Sequence, residues 1–178
     1  YYTSATGNKG LYGLKTMTNP YSTKTTYEYD VVDFSGSLFL GSTVVDKKTV
    51  SGSSGEVQYS GTWTYSYSPG TAGNPKDTTT ITSNNYCTQY DHLGGQGTSS
   101  GEVWRVGTLL ERREYNSSSC SSSLVKKEAY SWASSWVTNQ NEYHRRTNAV
   151  DIDTYQPVLS SKTITLDGST YTTTYSNY

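Results

Sequence analysis

Apolar positions along the chain come in short groups that alternate with threonine and serine. The clearest group is residues 56–68, EVQYSGTWTYSYS, in which Trp63, Tyr65 and Tyr67 fall on one side of an extended chain. Thr62, Thr64, Ser66 and Ser68 fall on the other, and Pro69-Gly70 ends the run. A period of two is the pattern of a strand with one face covered. Residues 21–30 finish in the same way, with Tyr27 and Tyr29 opposed to Thr26 and Glu28. Residues 31–40 carry a second short apolar group, and residues 43–50, 75–82 and 160–166 read as further strands. Asp167-Gly168 is a tight hairpin turn leading into a return strand over 169–175. Asn19-Pro20, the SGSSG run at 51–55, Asn84-Asn85 and the glycine loop at 94–97 punctuate the rest.

The chain is organised around residues 104–132, which contain a near-repeat. LLERREY at 109–115 is echoed by LVKKEAY at 124–130, with a serine-rich loop between them. Two such segments joined by a polar loop make an antiparallel hairpin. One register sets Glu114 against Lys126 and Arg112 against Glu128, adding modest cross-strand attraction. The competing reading is helical, because these residues are good helix formers. Each segment falls short of the ~12 residues an independent helix needs, and the aromatic ends favour strands. With no long helix indicated and strands about ten residues apart, the expected class is all-β, with an antiparallel sheet in a repeat array, sandwich or barrel.

Composition sharpens this picture. Only 32% of the residues are hydrophobic, and 18 are tyrosine. Tyrosine rings must therefore supply most of the buried area, each keeping its hydroxyl near a partner or water. Low aliphatic content is a mark of disorder, but disordered chains also lack aromatic and β-branched residues, which are plentiful here. A net charge of −1 argues against a dedicated nucleic-acid binder. The basic group Arg112, Arg113, Lys126 and Lys127 reads as solvated strand positions that discourage aggregation. No apolar run approaches the ~18 residues of a membrane-spanning helix. The sequence starts in mid-pattern with Tyr1-Tyr2-Thr3, which reads as a single β-repeat segment, 1–178, of a longer or processed chain. Cys87 and Cys120 form one disulfide or remain two thiols, and their spacing does not decide which.

Recurrent aromatic-aspartate units carry a family resemblance. They are TTYEYDVVDFSG at 25–36 and TQYDHLGG at 88–95, with related half-units TWTYSYSPG at 62–70 and TYTTTYSNY at 170–178. This resembles the RHS family, whose repeats are called YD repeats after their Tyr-Asp core. Tyr29-Asp30 and Tyr90-Asp91 are the matching pairs, although Tyr90-Asp91 continues into His92-Leu93-Gly94-Gly95 rather than the usual glycine-arginine-leucine. The resemblance implies a long antiparallel sheet coiled into a spiral wall. In bacterial relatives that wall is a hollow shell around a toxic C-terminal polypeptide; animal relatives use a similar shell at cell surfaces. The self-cleaving region that follows such repeats in the family has no counterpart in these residues.

Few residues carry a recognisable chemical signature. Gly95, Gly97 and Gly101 miss a dinucleotide loop by one residue of spacing. Cys87 and His92 are two candidate metal ligands without a second pair at zinc-site spacing. Asp151 and Asp153 lack the glycine-turned, oxygen-rich loop of a calcium site. Trp63, Tyr65 and Tyr67, together with Trp132 and Trp136, could stack on sugar rings, but a chain poor in leucine and isoleucine needs those rings for packing. Asn116-Ser117-Ser118 is a glycosylation sequon in a secretory-pathway host. The expectation is a non-enzymatic structural segment without cofactor or metal, outside the cell or at its surface. Its partners would be neighbouring repeats, other copies of itself or an enclosed polypeptide. A secreted adhesive or filament-forming protein is the alternative, and a carbohydrate-binding module the third reading.

Overall fold

A computed structural model describes residues 2–4, 12–34, 41–52, 60–96, 98, 100–136 and 155–176. The alternating segments become strands in the order of the chain. They are β1 (Tyr2–Ser4), β2 (Tyr12–Leu14), β3 (Thr16–Thr18), β4 (Lys24–Val32), β5 (Ser42–Ser51), β6 (Gly61–Ser68), β7 (Lys76–Thr82), β8 (Cys87–Leu93), β9 (Leu109–Tyr115), β10 (Leu124–Trp136), β11 (Tyr155–Leu166) and β12 (Ser169–Thr174). Strands β3 to β12 form one ten-stranded sheet whose spatial order is the sequence order, and β1 pairs with β2 separately. Every pairing is antiparallel. The protein is thus all-β, an open meander rather than a closed barrel.

The central hairpin takes the expected register, with Lys126 opposite Glu114 and Glu128 opposite Arg112. Trp104 and Arg105 belong to a short 3-10 helix, Ser100–Arg105, and not to the strand. Gly107, at φ 86°, reverses the chain before β9, and the Thr108 hydroxyl closes the turn by donating to the Arg105 carbonyl at 2.6 Å. Val31 and Val32 end β4 rather than beginning a new group, while residues 35–40 and 56–59 lie outside the described residues. At Asp167-Gly168 both residues have positive φ, 48° and 77°, as a two-residue hairpin turn between right-twisted strands requires.

Register divides the sheet into two unlike faces, because directly opposed residues point the same way. One face carries Tyr27, Tyr29, Trp63, Tyr65, Tyr67, Tyr90, Tyr130, Trp132 and Tyr171. The other carries threonine and charge: Thr64, Ser66, Thr78, Thr80, Asp91, Glu111, Arg113, Lys127, Thr163 and Thr165. The tips of the aromatic residues do a second job. Tyr67 donates to the Val45 carbonyl at 2.7 Å and Trp132 to the Leu109 carbonyl at 2.7 Å, each beside a break in ladder register. Tyr29 donates to the Leu14 carbonyl at 2.8 Å, where β2 gives way to β3. A backbone carbonyl at such an irregularity needs a partner, and the amphipathic ring supplies one.

Little apolar matter is enclosed. Among the described residues the buried apolar side chains are Cys87 and Leu93, whereas Thr25, Thr88, Asp91, Thr108 and Glu128 are buried polar ones. All of these but Thr25 lie between β8 and β10, where the Cys87–Cys120 disulfide ties the serine loop to the start of β8 across a Cα separation of 5.4 Å.

Candidate functional site

The two Tyr-Asp pairs occupy different environments. Tyr90 lies under the Arg112 guanidinium, 5.6 Å from the ring centre, on the aromatic face. Asp91 points to the opposite face, where it is only 4% exposed. There it accepts from the Thr78 hydroxyl at 2.8 Å and from Arg113 at 2.7 Å. Arg113 and Lys127 both reach Glu111, completing an acid-base row across β8, β9 and β10. Tyr29 caps the Leu14 carbonyl, but Asp30 is exposed and accepts from the backbone N–H of Val31. One pair stitches three strands together; the other closes locally.

A second charged cluster sits on the aromatic face. Glu128 is 3% exposed. Lys162 reaches it at 2.9 Å, Lys126 at 3.1 Å and Arg112 at 3.5 Å, and the Tyr130 hydroxyl donates to it at 2.9 Å. Burial raises this carboxyl, but the hydrogen bonds from Lys162, Lys126 and Tyr130 outweigh burial and pull it down to about 2. Lys162 also stands 5.2 Å over the Tyr130 ring. The sequence marks Glu128 only as the register partner of Arg112 and Arg112 otherwise only as one of a solvated basic group. The signal for more was the acid of KKEAY, preceded by two lysines and followed by a tyrosine on a strand that must bury one face.

Tyr65 lies opposite Ile81, and Tyr67 makes an edge contact with Phe34 at 6.0 Å. Burial raises both hydroxyls above their ordinary range, Tyr86 adding to the effect at Tyr65 and Tyr65 to that at Tyr67. Trp63 lies opposite Lys48, whose ammonium stands 5.1 Å from the indole centre. The indole N–H donates to the Tyr86 hydroxyl. Tyr86 lies in the β7–β8 connection, directly after Asn84-Asn85. It separates two clefts at one end of the sheet: 330 Å³ beside Trp63, Asn84 and Asn85, and 440 Å³ beside Thr88, Arg112 and Glu114.

Cys87 and His92 do not converge, because five residues apart on one strand they face opposite sides, and Cys87 is bonded to Cys120. Burial lowers the His92 pKa, against the opposing pull of Asp77 and Asp91. Among the described residues no group of three histidine, cysteine or acidic side chains is placed to hold a metal. His144, Asp151 and Asp153 lie outside those residues, as does the side chain of Trp136. The chain matches no protein-family model, no curated protein and no solved structure.

Proposed function

We propose that the chain is a non-enzymatic structural segment, a piece of β-wall of the kind the YD-repeat resemblance implies. Its sheet would continue through its edges into neighbouring repeats or other copies of the chain. The observation that carries this reading is the sheet's economy of burial: ten strands in one layer, with Cys87 and Leu93 the buried apolar side chains among the described residues. A single layer with an aromatic face and two terminal strands needs covering or continuation to be stable. The terminal strand β12, STYTTT, is exposed along its whole length and uncharged, so it lacks the lysines or prolines that blunt free edges. That edge also favours the second reading, a filament-forming protein whose copies join edge to edge. A disulfide suits an oxidising location outside the cell or at its surface.

Hydrogen exchange on the protein in its native assembled form tests the proposal. The amides of β3 and β12 are expected to be protected as well as those of β7 and β8. Edge amides that exchange freely at every protein concentration would overturn it.

A further inference from the structure

We propose that the cleft beside Tyr86 binds an uncharged oligosaccharide, with the Tyr86 ring as stacking platform and the Asn84 and Asn85 amides as hydrogen-bonding groups. A sugar ring presents a C–H face and a rim of hydroxyls. An aromatic ring accepts the first, and planar amides, each donor and acceptor, accept the second. Tyr86 is 40% exposed, so its ring is available. It is also held in place: its hydroxyl oxygen accepts from the Trp63 indole, leaving its own O–H free to donate outward.

Trp63 is the positioning residue. Lys48 stands over its ring, and the indole lies beside Gly61, where an added Cβ would meet it at an ordinary contact distance of 3.4 Å. A platform fixed before the ligand arrives loses less freedom on binding. Asn84 and Asn85 are exposed, with no partner in the protein for their side-chain amides among the described residues. With 330 Å³, the cleft lies within the range of about 300–1,000 Å³ typical of small-ligand sites.

Charge selects the ligand class. Ser60, Thr62, Ser83, Asn84 and Asn85 line the cleft, and none carries a full charge. In the 440 Å³ cleft on the other side of Tyr86, Arg112 and Glu114 are paired with each other. A sulfated or phosphorylated chain would find no unpaired cation among these lining groups. A linear neutral chain could cross Tyr86 with a sugar unit in each cleft. The inference does not rest on the wall reading, since a wall segment can carry such a site.

The test uses the whole, isotopically labelled chain. The probes are cellohexaose, laminarihexaose and chitohexaose, with a heparin oligosaccharide as the charged comparison; the three neutral probes separate plain from N-acetylated glucans. At low millimolar concentration at least one neutral probe is expected to shift the Trp63 indole N–H and the Asn84 and Asn85 side-chain resonances. Tyr86→Ala is expected to weaken that binding about tenfold or more, with the circular dichroism spectrum unchanged. Tyr86→Phe, which keeps the ring, should lose only about threefold. If Tyr86→Ala fails to fold, the Asn84→Ala/Asn85→Ala variant decides, with an expected loss of about tenfold. No shift with any neutral probe, a response to heparin alone, or full affinity in the folded decisive variant would overturn the proposal.

Discussion

Glu128 shows how a sheet poor in aliphatic side chains spends its charges. One carboxylate, nearly shut off from solvent, gathers two ammonium groups, a guanidinium and a phenol from its own strand and both neighbours. Because its folded-state pKa lies at about 2, below the ordinary 4.5, its stabilisation is fully present above about pH 4.5. It is lost as the pH falls through about 2, and the shift corresponds to roughly 3 kcal/mol. His92 acts earlier and in the same direction. Its lowered pKa means that it is preferentially neutral in the fold, so stability begins to fall as the pH drops through the ordinary histidine range. Denaturant titrations across the acid range are expected to show both steps. Glu128→Gln should lack the lower step and lose stability near neutral pH, at the low end of the roughly 3–5 kcal/mol for breaking a buried pair, since the lysines keep some contact with water. A Glu128→Gln protein that keeps the wild-type acid profile would refute this assignment.

At the scale of elements, the central hairpin separates register from contact. The sequence set Lys126 against Glu114 and Arg112 against Glu128, and both oppositions stand. The ion pairs are distributed differently: Lys126 turns to Glu128, while Arg112 holds both Glu114 and Glu128. Glu128 has the more buried side chain of the two acids, 4% exposed against 33% for Glu114, so an approaching ammonium gains more there. Double-mutant cycles should therefore give a coupling of about 0.5–1 kcal/mol for Arg112 with Glu128 and close to zero for Lys126 with Glu114. The reverse ranking would mean that the lysine prefers its directly opposed partner in solution.

The same contrast explains what was legible. Strand faces could be read wherever aromatic and hydroxyl residues alternate, as in β6, and the Asp167-Gly168 turn could be read because its backbone demands small or left-handed residues. The bulges in β5 and β9 could not, since an extra residue leaves no compositional mark. Nor could the roles of Tyr86 and Glu128, which depend on strands far apart in sequence. Tyr29-Asp30 and Tyr90-Asp91 looked alike as motifs. They diverge because only Asp91 has a threonine and an arginine facing it from adjacent strands.

The whole molecule is a one-dimensional object: within the ten-stranded sheet, each strand pairs only with its neighbours in the chain. Stability in such an array is a sum of local terms and nearest-neighbour couplings rather than a property of one shared core. The Cys87–Cys120 disulfide is then a local clamp. It closes a loop spanning a sequence separation of 33 that contains the rest of β8, the 3-10 helix, β9 and the first part of the serine loop. The chain-entropy relation gives such a closure about 3–4 kcal/mol, mostly by restricting the unfolded chain. Replacing both cysteines, as Cys87→Ala/Cys120→Ala, should lower protection from hydrogen exchange by that order at β8, β9 and the start of β10. The outer hairpin β11–β12 is joined to the clamp mainly through β10, with a smaller contact between β11 and the 3-10 helix, and should change less. An equal loss of protection in every strand would instead mean that the sheet opens as a single cooperative unit, and the nearest-neighbour description would have to be given up.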